Sequence, residues 1–266
     1  MKRIGSPANP GFKALRQLVE SSRERRKAGL SVLDGIHLVA AYREHVGRPQ
    51  RIAVSSQGME RAEIRALLER LKGVDAVVLD DALFRQLSSV VTPTGIVAVV
   101  KTPSAQPVPA EMDACVMLED LQDPGNLGSI LRTCAAAGVR HVLLSRGSVH
   151  AWSPRVLRAA MGAHFALAIY EGVNLQAVAS AFTGKRVATR QRATQSVFET
   201  DLTGRLALLF GNEGAGLSPE LLRTADIAAS IPMPGKAESL NVAAAAAVCL
   251  FERVRQLAAK SVIRES

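Results

Sequence analysis

LLFGNEGAGLS, from Leu208 to Ser218, is the stretch on which the fold turns. It reads as a buried strand running into Gly and Asn at the mouth of a helix, where backbone N–H groups stand free to hold a small polar ligand. Two other stretches read the same way: NLGSILRTCAAAG (Asn126 to Gly138) before it and IPMPGKAESLNVAAAAAV (Ile231 to Val248) after it. A dinucleotide site would need G-x-G-x-x-G between an early strand and its helix. The string from Gly211 to Gly216 has the spacing G-x-x-G-x-G and lies near the C-terminus, and no Walker A lysine motif occurs. Both common nucleotide-loop readings are therefore weak.

Working outward from this stretch, strand-like runs at 114–118, 141–144, 166–170, 185–189, 206–210 and 227–231 alternate with helical segments. That alternation predicts a mostly parallel sheet covered on both faces. TPSAQPVPAEMD, from Thr102 to Asp113, carries three prolines and no periodicity, so it reads as a linker. Before it, a helical pattern spans 9–29, followed by a strand near 31–33, a turn at Asp34-Gly35 and a short helix over 37–45. Strands at 51–54, 76–79 and 96–100 then alternate with helices at 59–71 and 81–87, which predicts a second, smaller α/β layer. The expected organisation is a domain over 1–104, a linker over 105–112 and a larger domain over 113–266.

Composition narrows the function classes. With 48% hydrophobic residues in 266, the chain can bury a sizeable core; with 4% aromatics, that core is built from Ala, Val, Leu and Ile. No apolar stretch reaches the roughly 18 residues that would span a bilayer. Cys115, Cys134 and Cys249 are odd in number, lie in apolar runs and lack metal spacing, so reduced core thiols in the cytosol are expected. The net charge of +9 is unevenly spread. Residues 1–51 hold eleven Lys or Arg against four Asp or Glu, and residues 151–200 hold six against two. Clustered positive charge points to a polyanion, since each neutralised phosphate releases counterions; a solvated basic face explains the same count.

The three glycine- and asparagine-bearing stretches, taken in order, resemble motifs 1, 2 and 3 of the SpoU/TrmH family of RNA ribose 2′-O-methyltransferases, in the SPOUT class. SPANPGFKALRQL…SRERR…VLDGIHLV, from Ser6 to Val39, is similar to the opening of the RNA substrate-binding domain that often precedes this catalytic domain. The absence of acids from the first 19 residues suits an organellar presequence, but the resemblance favours mature protein and a cytoplasmic location. The resemblance implies an α/β fold: a small N-terminal α/β RNA-binding domain and a C-terminal α/β domain whose parallel sheet is tied in a trefoil knot. It also implies S-adenosylmethionine as methyl donor, structured rRNA or tRNA as substrate, a homodimer, and no metal or membrane.

Residue by residue, the resemblance places the donor on Gly211, Ile231 and Leu240, with Met233 and Gly235 beside them. Read without the motifs, Ile231 and Leu240 are ordinary core. It places catalysis on Asn126, Arg132, Glu213, Ser239 and Asn241. Arg132 lies six residues beyond Asn126 on one helix, with Glu213 as a candidate carboxylate partner. A guanidinium has a pKa above about 12 and stays protonated, so Arg132 is expected to orient the ribose and stabilise a developing alkoxide, not to take its proton. Positioning of this kind supplies several kcal/mol, up to roughly 7–11 when well aligned. Ser239 also suits the N-cap of the helix that begins near Asn241.

RNA phosphates are assigned to Arg23, Arg25, Arg26, Lys27, Arg155 and Arg158. The first four equally suit the negative end of a helix dipole, and the last two equally suit solvent. Asp34-Gly35 stands where the family often has Glu-Gly, and Ala243 where a small hydroxyl residue is frequent; neither removes a proposed catalytic group. Other classes fit the same fold: an RNA-binding or ribosome-assembly protein without catalysis, and a base methyltransferase.

Overall fold

The computed structural model describes residues 1–88 and 92–265 and divides into two compact units. One comprises 1–104 together with 152–165; the other comprises 105–151 and 166–266.

The first unit runs β1 (Lys2–Ile4), α1 (Pro10–Glu20), α2 (Ser22–Ala28), β2 (Leu30–Asp34), α3 (Ile36–His45), β3 (Arg51–Ser55), α4 (Ser56–Glu60), α5 (Ala62–Arg70), β4 (Asp75–Leu79), α6 (Asp81–Phe84) and β5 (Ile96–Lys101). Its sheet has the order β1-β4-β3-β5-β2, with β1 and β3 parallel to β4 and both β2 and β3 antiparallel to β5. Phe12, Leu15, Leu79, Phe84 and Leu87 pack on one face of it. The helix expected over 9–29 breaks at Ser21, whose extended backbone (φ −112°, ψ 113°) ends α1 while its hydroxyl accepts from Glu24 N and starts α2. The helix expected over 59–71 begins earlier and breaks at Arg61, also extended.

The second unit continues β6 (Ala114–Leu118), α7 (Pro124–Ala136) and β7 (His141–Ser145). The chain then passes through α8 (Pro154–Ala159), which packs on β2 of the first unit. In that unit Gly162 lies against Ala41, and the Phe165 ring meets Tyr42 edge-on at 5.5 Å. The continuous second domain expected from residue 113 is thus interrupted by a segment that belongs with the first.

β8 (Ala168–Val173), α9 (Leu175–Ala181), β9 (Lys185–Thr189), β10 (Gln195–Ser196), β11 (Leu206–Phe210), α10 (Pro219–Leu222), β12 (Ile227–Ser230) and α11 (Val242–Glu265) complete the second unit. The strand expected over 166–170 begins two residues late, because a 3₁₀ turn occupies Ala163–Ala166. All pairings are parallel, in the order β10-β12-β9-β11-β6-β7-β8. β11 is buried at every position, as a strand covered on both faces must be. In register, Phe210 stands beside Leu118 and Leu209 beside Ala188, so β6, β9 and β11 end together. Open parallel sheets bind ligands at this carboxyl edge, and the three motif loops leave from it. Among the described residues, no helix is long and apolar enough to cross a membrane, and no group of His, Cys, Asp and Glu could hold a metal ion.

Candidate functional site

The loop after β11 is shaped by one missing side chain. A Cβ on Gly211 would sit 2.1 Å from Gly216 C and 2.2 Å from Leu217 N, so only glycine lets the chain double back there. Asn212 N donates to Gly216 O at 3.0 Å and Gly216 N returns to Asn212 O at 2.9 Å, with Gly216 at φ +72°. The Asn212 side chain braces the loop: Oδ1 accepts from Gly214 N and Ala215 N, and Nδ2 donates to Asp120 O at 2.7 Å. This closed loop presents Glu213 to the start of α7.

Asp123 caps α7, accepting from Asn126 N at 2.7 Å, and Pro124 opens its first turn. Glu213 accepts from Gln122 N at 3.2 Å, Asp123 N at 3.1 Å and Asn126 Nδ2 at 3.0 Å. Burial pushes the Glu213 carboxyl up, but the Asn126 amide and these N–H donors outweigh it and hold it below the usual carboxylate value. Asn126 Oδ1 accepts from Asn241 Nδ2 at 2.8 Å, and Asn241 Oδ1 accepts from Ala243 N at 2.9 Å. A chain of side-chain contacts thus links motif 2 to motif 1 to motif 3, across sequence separations of 87 and 115 residues.

Two expectations change at this point. The N-cap of α11 is Asn241, not Ser239, because the helix starts at Val242 and an Asx oxygen one residue before it reaches the free amides. The carboxylate partner proposed for Arg132 is occupied elsewhere: Glu213 is spent on α7's amides and Asn126. Arg132 itself is exposed, and its side chain has no hydrogen bond or ion pair among the described residues.

A cavity of about 680 Å³ opens over the carboxyl edge. Asn126, Gly211, Glu213, Ser239 and Asn241 line it, with Ile231, Met233 and Leu240 on its apolar side. Leu240 is 41% exposed, so it covers a cavity and not a core. Arg132 and Gly235 do not line it; Gly235 is exposed with nothing near its α-carbon face. Thr189, Arg190, Gln191 and Arg192, which the motifs did not mark, do line it. Their sequence signals were the end of a predicted strand at residue 189 and, for Arg190 and Arg192, a share in the positive charge of 151–200.

Glu119 was also missed. It accepts from both the backbone and the hydroxyl of Ser218, at 2.7 Å each, which ties β6 to the cap of α10. Asp120, in the left-handed region at φ +51°, binds Ser145 through its carboxylate and is backed so closely by Gly147 that a Cβ there would lie 2.3 Å away. Isolated acids in a loop gave no sign of either role.

Of the residues assigned to phosphates, Arg23, Arg26, Lys27, Arg155 and Arg158 are exposed. Arg25 is not: it is 5% exposed, and its Nη1 donates to Leu18 O at 2.8 Å and Val19 O at 2.9 Å. Its guanidinium satisfies the last carbonyls of α1 and is unavailable to RNA. All three cysteines are buried, and burial pushes their thiols up to about 12.

Comparison with known proteins agrees with this architecture. Residues 113–251 match the SpoU rRNA Methylase family, and residues 9–98 match an MRM3-like substrate binding domain. The chain is 31% identical to a 23S rRNA guanosine 2′-O-methyltransferase of Bacillus subtilis, over 94% of this chain and 98% of that one. It is 29% identical to the mitochondrial rRNA methyltransferase 3 of Mus musculus, over 96% of this chain and 74% of that one. Among solved structures, the SpoU methyltransferase AviRb of Streptomyces viridochromogenes in complex with AdoMet superposes with a TM-score of 0.84 at 28% identity, covering 93% and 98% of the two chains.

Proposed function

Because this chain belongs to the SpoU rRNA methylase family, we propose that it transfers a methyl group from S-adenosylmethionine to a ribose 2′-hydroxyl of ribosomal RNA. The single observation that carries this reading is the cavity at the carboxyl edge, in which all three motifs meet through Glu213, Asn126 and Asn241.

The cavity suits the donor on its own terms. Its volume lies in the range that encloses a ligand of this size, about 300–1,000 Å³. Ile231, Met233 and Leu240 offer apolar cover for an adenine, and Gly211 lets a ligand approach the backbone. Bound there, the donor supplies an electrophilic sulfonium methyl. Asn126 and Asn241 hold one another in a fixed orientation beside it, and Glu213 fixes the first turn of α7 from which Asn126 projects. Ser239, freed from capping and lining the cavity, is available to the RNA.

We assign Arg132 to the ribose and its adjacent phosphate, where a permanent cation stabilises the developing alkoxide. Its exposure on α7, outside the cavity of its own chain, supports delivery to the site of a second copy. α11 supports the same homodimer: Phe251 is 49% exposed on a face that continues through Ala244 and Val248. Arg23, Arg26, Lys27, Arg155 and Arg158 are assigned to RNA phosphates. The trefoil threading implied by the family resemblance is proposed for residues 231–241, which share the cavity wall with the loop after β9. Three buried, unoxidised cysteines support a cytoplasmic location.

The test is methyl transfer from tritiated donor to rRNA, followed by alkaline hydrolysis. A 2′-O-methyl blocks cleavage and leaves labelled, alkali-resistant dinucleotides. Label recovered in alkali-released mononucleotides refutes ribose transfer, and absence of transfer to any rRNA refutes catalysis.

A further inference from the structure

Two guanidinium groups at the cavity have no place in the chemistry just assigned. β9 ends at Thr189, and Arg190 and Arg192 follow at once. Both line the cavity. Both are exposed, and neither side chain has a hydrogen bond or ion pair among the described residues.

The loop that carries them is anchored at both ends. Arg190 N donates to Ala229 O at 3.0 Å, Thr189 Oγ1 to Leu209 O at 3.0 Å, and Val197 N to Ser230 O at 2.9 Å. The chain therefore leaves the sheet in a fixed direction, beside the ends of β11 and β12. The ionised side chain facing the arginines from the other loops of the cavity is Glu213. Its carboxylate is already committed to two backbone amides and Asn126. The cavity thus holds two unpaired cations and one engaged anion.

S-adenosylmethionine carries three ionised groups: a sulfonium, an ammonium and a carboxylate. Guanidinium repels the first two and matches the third, to which it can present two parallel N–H donors. The geometry points to a carboxylate subsite: Arg190 and Arg192 receive the α-carboxylate of the methyl donor and fix which end of it faces Asn126 and Asn241. This inference rests on the cavity being the donor site. RNA phosphate is the competing anion. The carboxylate is preferred because both arginines share one cavity with Gly211, Ile231 and Leu240.

The experiment is calorimetric binding of S-adenosylmethionine and of its decarboxylated analogue, which keeps the sulfonium and the ammonium, to the full chain. The wild type is expected to prefer the carboxylate-bearing donor by about 10-fold or more. In Arg190→Gln/Arg192→Gln that preference collapses to about unity through loss of donor affinity, while affinity for the analogue holds or rises. Arg190→Lys/Arg192→Lys, which keeps charge without the fork, should fall between them. Thermal unfolding of each variant checks the fold.

A double glutamine variant that retains the preference overturns the subsite. So does one that keeps the preference while losing RNA affinity, which reassigns the pair to phosphate. Equal binding of both compounds by the wild type removes the subsite and leaves the donor site standing. Binding of neither removes the donor site and the subsite with it.

Discussion

Replacing Gly211 by alanine tests how the motif 2 loop is built. The new Cβ would meet three backbone atoms, Gly216 C, Leu217 N and Gly216 O, at 2.1, 2.2 and 2.3 Å. Each is more than 1 Å inside ordinary contact, and no flexible side chain can yield. Overpacking of this kind costs about 1–3 kcal/mol. The loop escapes only by breaking its paired Asn212–Gly216 hydrogen bonds, worth about 0.5–1.5 kcal/mol each. The sum is about 2–6 kcal/mol, and at roughly 2–4 °C per kcal/mol for a domain of this size the unfolding temperature falls by at least about 4 °C. Because the displaced loop also carries Glu213, donor affinity should fall by about 10-fold or more.

Gly214→Ala is the control, since its Cβ would meet only Asn212 Oδ1, at 3.6 Å, which is normal contact. Differential scanning calorimetry and calorimetric donor titration of both variants decide the matter. Gly211→Ala with the unfolding temperature and affinity of the wild type would refute the reasoning; so would Gly214→Ala with losses equal to those of Gly211→Ala.

Other outcomes follow from the same contacts. Glu213 has a depressed pKa, so its three accepted hydrogen bonds stabilise the fold fully above the ordinary carboxylate range and are lost as pH falls through the depressed value. The stability advantage of the wild type over Glu213→Gln, followed by denaturant titration from pH 7 downward, should therefore shrink in acid; a pH-independent difference would contradict this. Arg132→Ala should abolish methyl transfer and spare donor binding. Randomly mixed dimers of Arg132→Ala with Gly211→Ala should recover roughly a quarter of wild-type turnover at limiting donor if Arg132 serves the partner's cavity, and no more than the separate variants show if it serves its own. Arg25→Ala should cost about 1–3 kcal/mol in chemical denaturation by stranding the Leu18 and Val19 carbonyls. Arg23→Ala/Arg26→Ala should instead leave stability alone and flatten the salt dependence of RNA binding, measured by filter retention.

The parts of this molecule that were legible in sequence are those governed by short-range rules. An apolar run flanked by Gly and Asn declares a buried strand and its loop, which is why β6, β7, β9, β11 and β12 fall within a residue or two of expectation. The order of the three motifs then placed Gly211, Asn126 and Asn241 near one another. Which atom bonds which was not legible. Glu213 chooses Asn126 over Arg132 because the loop geometry set by Gly211 and Asn212 aims it at the first turn of α7, and spacing alone does not encode that direction. Ser239 and Asn241 are both good caps, and only the starting residue of α11 selects between them. Arg25 sits in a run of cations whose members look identical in sequence; its neighbours face solvent while it turns into the end of α1. Helix periodicity runs through Ser21 without interruption, so the break there was hidden until its hydroxyl was seen to accept from Glu24. A three-residue edge strand such as β1 carries no periodicity at all.

The placement of residues 152–165 has a consequence for how this polypeptide can be cut and made. The chain changes unit three times, at about 104, 151 and 165, so no single scission yields two whole parts. A fragment ending at 104 lacks α8, one of the helices that pack on β2. One beginning at 105 carries Trp152, Val156 and Leu157, all buried in the intact protein, without the rest of the unit to which they belong. During synthesis the leading unit stays unfinished until Phe165 has emerged, by which time three elements of the trailing unit, β6, α7 and β7, have already been made. The two units are therefore committed to maturing together, and excised pieces will report on their own exposed surfaces instead of on the enzyme.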